Sequence, residues 1–169
     1  MRRPIPALIL LLVLALLAVG VWWKVLQRHD ESLAAEPDPC ATVTGSPNDV
    51  DPSLVQVRVY NASFEDGLAA RVGVELGKRG MKVTDVGNDP SRAQVEGIGQ
   101  VRYGSSGTNQ ATFVAANFPG LSFVLDSRTD SVVDVVLGPD FLGMVPPKQV
   151  PAALATTEAA ASASRAANC

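Results

Sequence analysis

The sequence predicts an α/β (α+β) protein, in which an N-terminal transmembrane helix precedes one small exported two-layer domain of βαβ-type units. Three observations support this: an uncharged apolar run near the N-terminus, a valine alternation of strand period after residue 54, and helical periodicity between strand-like segments. A length of 169 residues suits one modest domain with attachments. The net charge of −3 supplies no basic surface, so nucleic acid is not an expected partner.

The apolar run extends from Ile5 to Trp23 and contains no charged residue. At about 1.5 Å per residue, such a helix crosses a hydrocarbon core of roughly 30 Å. Trp22 and Trp23 stand where interfacial aromatic residues are found. The alternative is a cleaved signal peptide, but the run exceeds the usual apolar length of about 7–15 residues. We therefore expect a retained anchor.

The orientation of the anchor follows from the positively charged residues beside it. Arg2 and Arg3 precede the span, and Lys24 and Arg28 follow it, so the bias is narrow. We expect the short N-terminus in the cytoplasm. The predicted localisation is therefore the cell (inner) membrane, single-pass, with the remaining chain outside it, where disulfides persist.

Composition divides the chain into four segments. Residues 1–24 form the cytoplasmic tip and the transmembrane helix, and the polar, proline-rich residues 25–51 form a flexible linker. Residues 52–145 form the α/β domain. Residues 146–169, rich in Ala, Pro and Ser and ending in a cysteine, form a tail that cannot build a core by itself, and the sequence leaves open whether it is ordered.

The first part of the domain is a strand, a helix and a second strand. Residues 54–60 alternate three valines with polar residues, and residues 81–86 form the second strand, which is expected to lie parallel to the first. The intervening helix carries apolar residues at i, i+4 spacing, has Asn61 or Ser63 as its N-cap, and places Glu65 and Asp66 in its first turn. The helix ends at Gly80.

The second part repeats this order. Residues 95–103 are extended, and a polar turn then leads into a helix that carries Ala111, Val114, Ala115 and Phe118 and ends at Pro119-Gly120. Residues 121–125 and 131–137 supply further strands. Two βα units on one sheet are therefore expected.

These motifs resemble a known family. They are V-x-V-x-N-x-S at Val57–Ser63, G-L-A-x-x-V at Gly67–Val72, L-x-x-x-G-x-x-V at Leu76–Val83, and a later V-R-Y before the second helix. Residues 52–144 resemble the LytR C-terminal domain, which accompanies the catalytic domain of cell-wall ligases of the LytR-CpsA-Psr type. The chain looks like a stand-alone actinobacterial member without that catalytic domain.

The resemblance implies an exported, membrane-tethered, non-catalytic protein that supports cell envelope integrity, with no cofactor. Its expected partners are peptidoglycan or arabinogalactan, or LytR-CpsA-Psr-type ligases. A transcriptional role is not expected of an acidic domain outside the membrane. No residue is assigned to ligand contact, because the aromatic residues that could stack on a sugar could also be core. They are Tyr60, Phe64, Tyr103, Phe113, Phe118, Phe123 and Phe141.

Cys40 and Cys169 are the candidate disulfide. Each lies in a flexible flank of the domain, so their sulfurs could meet without strain in the core. An oxidising compartment favours the bond. The alternatives are two separate thiols or an intermolecular bond, and lipid attachment at Cys40 is a more distant one.

No catalytic residue and no metal ligand is assigned. His29 is the sole histidine and lies near the predicted span, so Ser105 and Ser106 have no base for a hydrolase triad. Asp126, Asp130 and Asp134 suggest a metal site, but Asp134 lies inside a predicted strand and the spacing matches no calcium loop, so solvated turn charges are the preferred interpretation.

Two glycine motifs also suggest ligand loops. Gly104-Ser-Ser-Gly107 could hold a phosphate at a helix N-terminus, but a turn with serine caps is preferred. Gly97-Ile-Gly99 lacks the third glycine of a dinucleotide fingerprint and is interpreted as a strand bend or bulge.

Two other function classes stay open. A small exported hydrolase acting on envelope glycan could use Glu65 and Asp66, although adjacent helical residues project about 100° apart and converge poorly on one bond. A structural subunit of a membrane complex would depend chiefly on the transmembrane helix.

Overall fold

The computed structural model describes residues 45–168, which fall in one compact unit. The predicted anchor from Ile5 to Trp23 and both cysteines, Cys40 and Cys169, lie outside the described residues. Among residues 45–168, no helix combines the length and apolar character needed to cross a membrane.

One five-stranded sheet and three helices make up the described domain. The strands are β1 (Gln56–Asn61), β2 (Lys82–Asn88), β3 (Gly99–Tyr103), β4 (Ser122–Leu125) and β5 (Val133–Leu137). The helices are α1 (Leu68–Lys78), α2 (Thr108–Ala115) and α3 (Val150–Asn168). Short 3₁₀ turns precede β1, α2 and α3. The described part therefore has the mixed α/β composition of the predicted α+β class.

The strand order is β2-β1-β5-β3-β4. β1 pairs in parallel with both β2 and β5, whereas β3 is parallel to β4 and antiparallel to β5. The sheet thus contains two βαβ units, β1-α1-β2 and β3-α2-β4, joined by β5. The predicted parallel pairing of the first two strands is confirmed.

One face of the sheet is apolar and is packed against α1 and α2. Val57 and Val59 of β1, Val101 of β3, and Val133 and Val135 of β5 are all completely buried. The helices contribute a matching set, namely Leu68, Val72, Leu76, Ala111 and Val114. The period-two alternation predicted for β1 is confirmed, and it directs the core to this face.

The start of α1 differs from the prediction. Gly67, with a φ of 71°, occupies the N-cap position, and no side chain caps the helix there. Asn61 is engaged elsewhere, because its Oδ1 accepts from the backbone N–H of Ser63 at 2.9 Å and its Nδ2 donates to the carbonyl of Glu65 at 2.7 Å. These bonds fold the loop after β1, so Glu65 and Asp66 precede the helix instead of occupying its first turn.

The third strand begins at Gly99, four residues later than predicted. β2 is an edge strand, and β3 lies on the far side of β1 and β5, so the segment that connects β2 to β3 must cross these two strands. It crosses them on the sheet face opposite the helices, where Val95 packs on Tyr60 and Val136. A Cβ at Gly99 would lie 2.2 Å from the carbonyl oxygen of Val136. The glycine therefore permits a close approach of two chain segments. Gly97 and Ile98 form a turn directly before β3, where a bend or bulge within a longer strand was predicted.

Three boundaries shift near the second unit. α2 ends at Ala115, so Phe118 lies beyond the helix, where it is still buried. β4 begins at Ser122 and β5 at Val133, one and two residues later than predicted. Ends of elements depend on hydrogen bonds between strands, which periodicity does not report.

The tail forms a long helix. α3 has 19 residues, packs on α2, and buries Leu154 and Ala161. Alanine has the highest helix propensity, and Pro151 is tolerated because it lies in the first turn. The sequence leaves open whether the tail is ordered, and the structure shows residues 150–168 as a helix that packs on the domain instead of building a core of its own.

Candidate functional site

The sheet face opposite the helices carries charged side chains. Strand register places Asp85 of β2, Arg58 of β1, Asp134 of β5 and Arg102 of β3 at successive positions across four strands. We call these four residues the charged row. Acidic and basic residues alternate along it, so each charge has an opposite charge on the neighbouring strand.

Asp134 is the centre of this row. Arg58 donates to it through Nε at 2.6 Å and Nη2 at 3.0 Å, and Nη2 of Arg128 donates to Oδ2 at 2.7 Å. Arg128 also binds Asp126, at 2.6 Å from Nη2 to Oδ2. Only 7% of the Asp134 side chain is exposed. Fixed bidentate contacts of this kind are stronger than pairs of mobile surface charges.

The interpretation of the three aspartates as solvated turn charges is therefore wrong for Asp134 and incomplete for Asp126. Asp134 points to the charged face of β5, where guanidinium groups replace water. Asp126 is held by Arg128, and Asp130 accepts from the backbone N–H of Val132 at 3.0 Å. A guanidinium thus lies between Asp126 and Asp134, where a metal-site hypothesis would place a cation.

The same contacts keep the charges fixed. The hydrogen bond to Asp134 raises the pKa of Arg58. Burial alone would raise the pKa of Asp126, but the bonds from Arg128 outweigh it and lower that pKa. A carboxylate with a lowered pKa stays ionised at neutral pH and is a poor proton donor.

Two further polar contacts hold the open face together. Arg102 donates to both oxygens of Asp89 at 2.8 Å, which fastens the chain leaving β2 to β3. Burial raises the pKa of Asp89, but the bonds from Arg102 and Ser91 outweigh it and lower the pKa overall. The Tyr60 hydroxyl donates to Asp85 at 2.9 Å, linking β1 to the edge strand β2.

The Gly104–Gly107 segment is a turn, as predicted, but the serines do not cap it. Ser105–Gly107 form a 3₁₀ turn without a side-chain cap at its start. A Cβ at Gly104 would lie 2.0 Å from the carbonyl oxygen of Arg128. Only glycine leaves room for the loop that packs against this position. The same loop carries Arg128, whose guanidinium binds Asp134.

A groove runs along α1, and we call it the α1 groove. It has a volume of about 320 Å³ and is open to solvent. One side is formed by the start and face of α1, and the other by the chain after β5. The lining residues are Glu65, Leu68, Arg71, Val72, Glu75 and Arg79 on the first side, and Phe141, Leu142, Gly143 and Met144 on the second.

The position of the groove follows from the topology. β1 and β5 are parallel neighbours, and Asn61 at the end of β1 is in register with Leu137 at the end of β5. Both following segments therefore leave the same edge of the sheet. Crevices outside the carboxyl ends of parallel strands are the usual ligand sites of α/β sheets.

The α1 groove combines apolar and charged groups. Leu68, Val72 and Phe141 form apolar lining, while Leu142 is 99% exposed. Glu65 pairs with Arg71 near the start of the helix, and both side chains are more than half exposed.

Arg79 closes the far end of the groove. Its Nη1 donates to the Asn117 side chain at 3.0 Å and to the Val145 carbonyl at 2.9 Å, and its Nη2 lies 3.5 Å from Glu75. The Arg79 side chain is only 11% exposed, so it also joins α1 to the segment that leads into α3.

The structure distributes the other predicted residues widely. Phe64 is fully exposed in the loop after β1, whereas Tyr103, Phe118 and Phe141 are buried. Glu65 is already paired with Arg71. In residues 45–168, no cluster of three or more histidine, cysteine, aspartate or glutamate side chains is arranged to hold a metal ion.

Sequence reasoning missed the arginines Arg58, Arg102 and Arg128 and their partner Asp89. A signal was present for two of them, because Arg58 and Arg102 each occupy the position in a strand that alternates with a buried valine. A charged residue there predicts a polar second face, but it does not identify the partner on another strand.

Comparison with known proteins defines the family. Residues 54–141 match the family described as "LytR cell envelope-related transcriptional attenuator", and this covers more than half of the chain. The chain belongs to this LytR C-terminal domain family, as the sequence motifs predict. Membership places it among cell envelope-related proteins.

Two particular relatives extend the match beyond the family domain. The chain is 28% identical over 173 residues to the cell envelope integrity protein Cei of Mycobacterium tuberculosis, covering 91% of this chain and 80% of Cei. It is also similar to the crystal structure of the soluble domain of a conserved hypothetical secreted protein from Mycobacterium marinum. That match has 33% identity and a TM-score of 0.55, and covers 66% of this chain and 78% of that one.

Proposed function

We propose that this chain is a membrane-anchored, non-catalytic exported protein that supports cell envelope integrity by binding a cell-wall polymer or an envelope-assembly enzyme. The observation that carries the proposal is the similarity to Cei, which extends over 91% of the chain, well beyond the family domain. A likeness confined to the domain would support a shared fold, but likeness along the whole chain supports a shared role.

The electrostatics of the domain support binding over catalysis. The buried carboxylates of Asp89 and Asp134 are each fixed by arginines, and Asp126 has a lowered pKa. General acid catalysis on a glycan needs a carboxyl group with a raised pKa facing a second carboxylate. The fixed pairs instead stiffen the sheet, which suits a surface that presents a preformed binding site.

Anchoring rests on the sequence, through the uncharged run from Ile5 to Trp23. If this run is embedded in lipid, the full chain stays with the membrane fraction in alkaline carbonate and is released only by detergent. A reporter enzyme that needs export should be active when it is fused after Asn168. Recovery of the natural protein in the soluble fraction would contradict the anchor.

The envelope role is tested by deletion and complementation in the organism that encodes the chain. We expect the deletion to increase uptake of ethidium and sensitivity to detergent, and the wild-type chain to restore both. Asp130→Ala is the control variant, because Asp130 is exposed and accepts a backbone hydrogen bond within its own loop. Unchanged permeability in the deletion strain would refute the role.

The pairing of Cys40 with Cys169 stays a prediction. We expect the exported chain to lack free thiols until it is reduced, and its peptide map to contain one linkage between the two cysteines. Labelling of two thiols without reductant, or a dimer that reductant dissociates, would show one of the alternatives to be correct.

A further inference from the structure

We propose that the cavity between the end of α1, the face of α2 and the start of α3 binds a small organic monoanion, namely a carboxylate carried on a compact apolar body. We call this space the interhelical cavity. It has a volume of about 460 Å³, and small-molecule sites typically occupy about 300–1,000 Å³. The inference goes beyond the proposed function, which concerns a partner of much larger size.

An arginine donor without an acceptor lies at this cavity. Arg79 is a lining residue, and its buried Nε has no hydrogen-bond partner among residues 45–168. The rest of the guanidinium is already fixed, because Nη1 donates to the Asn117 side chain at 3.0 Å and to the Val145 carbonyl at 2.9 Å. A buried N–H without an acceptor is costly. A ligand oxygen can bind this N–H without first ordering the side chain that carries it.

The charges that line the cavity do not cancel. The charged lining residues are Glu75, Lys78 and Arg79, so two cations face one carboxylate. Glu75 is shared between them, at 3.6 Å from the Lys78 ammonium and 3.5 Å from the Arg79 guanidinium. α1 ends and α3 begins beside the cavity, so the negative end of one helix dipole offsets the positive end of the other. One positive charge remains, and a monoanion is its complement.

This net charge favours a carboxylate over a phosphate. A carboxylate brings one negative charge at neutral pH, whereas a phosphate monoester brings about 1.5 to 2 and would leave part of its charge uncompensated. A carboxylate also has two acceptor oxygens. One can accept from the Arg79 Nε, and the other from the ammonium of Lys78, whose side chain is 70% exposed and can turn toward the ligand.

The remaining walls of the cavity are mostly apolar. Met81 is buried, Phe113 and Val150 are half-buried, and Pro147 is exposed. The uncharged polar side chain among the lining residues is Asn117, whose oxygen and amide hydrogens are already bonded within the protein. A compact apolar group therefore suits the body of the ligand.

The test observes the Arg79 Nε–H by nitrogen–proton correlation NMR of the full chain in detergent, with 2-naphthoate as the probe. Triple-resonance assignment from the Arg79 backbone identifies the signal. We expect it to shift saturably with the free probe concentration, which dialysis measures. 2-Naphthamide has the same shape without the charge and should bind about tenfold more weakly. 2-Naphthyl phosphate should also bind more weakly than 2-naphthoate.

Val150→Glu tests the cavity as the place of binding. It adds a negative charge to the lining, and an acidic residue at the start of α3 suits the helix dipole, so the fold should persist. We expect it to weaken 2-naphthoate binding about tenfold. Gln149→Glu is the matched control, because Gln149 is exposed and does not line the cavity. It should change the affinity less than about twofold at an ionic strength of about 0.15 M.

Lys78→Gln tests the excess charge. It removes the second cation, so 2-naphthoate should bind about fivefold more weakly. Arg92→Gln changes the net charge of the chain equally, but Arg92 is exposed in the segment between β2 and β3 and does not line the cavity. It should leave the affinity unchanged.

Four outcomes would overturn the inference. They are an Arg79 Nε–H signal that does not respond to 2-naphthoate, equal affinity for 2-naphthamide, tighter binding of 2-naphthyl phosphate, and equal losses from Val150→Glu and Gln149→Glu. The complementation test of the envelope role uses no small ligand, so failure of that role and failure of this inference are distinguishable.

Discussion

The two βαβ units of the sheet are alike in order but differ in how their helices are covered. In the second unit, α2 is packed on the sheet on one side and against α3 on the other, and even Thr108 and Thr112 are buried. In the first unit, α1 is packed on the sheet, yet one of its flanks lines an open groove beside Leu142.

This difference is one of packing. The tail helix α3 gives the second unit additional buried contacts, so that unit contributes packing. The first unit leaves Leu142 exposed beside the α1 groove, although covering this side chain would bury more apolar area. β5 joins the two units, and Asp134 lies at this junction.

The largest effect is expected from breaking the junction. Asp134→Ala removes the carboxylate shared by Arg58 and Arg128 and leaves two guanidinium groups without it on a mostly buried face. We expect the free energy of unfolding to fall by about 3 kcal/mol, at the lower end for a buried pair because Arg58 is partly exposed. Urea titration followed by circular dichroism measures it.

Asp130→Ala is the control for this prediction. Asp130 is exposed and accepts a backbone hydrogen bond within its own loop, so its loss should cost less than about 1 kcal/mol. Equal losses from the two variants would mean that the network does not couple the units.

The second prediction concerns the coverage of α2. Leu154 is buried in the interface that α3 forms, so Leu154→Ala should lower the free energy of unfolding by about 2–3 kcal/mol. Val74→Ala on the exposed side of α1 should change it by no more than about 0.5 kcal/mol. If Leu154→Ala is equally silent, α3 does not stabilise the second unit and the comparison fails.

The sequence predicts those features of the two units that depend on interactions between residues near each other in the chain. The alternation of Val55, Val57 and Val59 identifies β1 and its buried face, because side chains alternate along a strand whatever lies around it. The α1 periodicity and the terminating Gly80, with a φ of 91°, are local in the same way.

The charged row and the groove are not local. Arg58 and Asp134 are 76 residues apart in sequence, and no pattern near either residue indicates its partner. The N-cap prediction failed for a related reason, because Asn61 and Ser63 can bond to several nearby backbone groups, and the sharp loop after β1 uses them first. Composition gives the alanine-rich tail a high helix propensity, but it does not indicate the surface on α2 against which the helix packs.

A third prediction concerns Asp89, in the segment that connects β2 to β3, and tests whether its charge or its shape stabilises the fold. Asp89→Asn keeps the size of the side chain but removes the charge paired with Arg102, and should cost about 2 kcal/mol at pH 7. The pKa of Asp89 is lower in the folded than in the unfolded chain, so its stabilisation is complete above the unfolded pKa of about 3.9. It is lost as the pH falls through the folded pKa.

The measurement is the unfolding free energy of wild type and Asp89→Asn across the acid range. The difference between them should be constant from pH 7 to about pH 5 and should diminish below about pH 4. A difference that persists at the lowest pH at which both fold would show that the asparagine disturbs shape, and that the charge is not the stabilising factor.

The smallest effect is expected from Tyr60→Phe, at the contact between β1 and the edge strand β2, and Phe123→Ala in the second unit provides the comparison. In the first unit, the Tyr60 hydroxyl bonds to Asp85, an exposed carboxylate. In the second, Tyr103 packs edge-on against Phe123, with ring centroids 6.0 Å apart. Water can replace the hydroxyl at Asp85, so Tyr60→Phe should cost only about 0.5–1 kcal/mol. Phe123→Ala should cost more, because nothing replaces the lost ring. Thermal unfolding of both variants compares the two contacts. A larger loss of stability from Tyr60→Phe than from Phe123→Ala would show that the polar contact, and not apolar packing, limits the stability of the sheet edges.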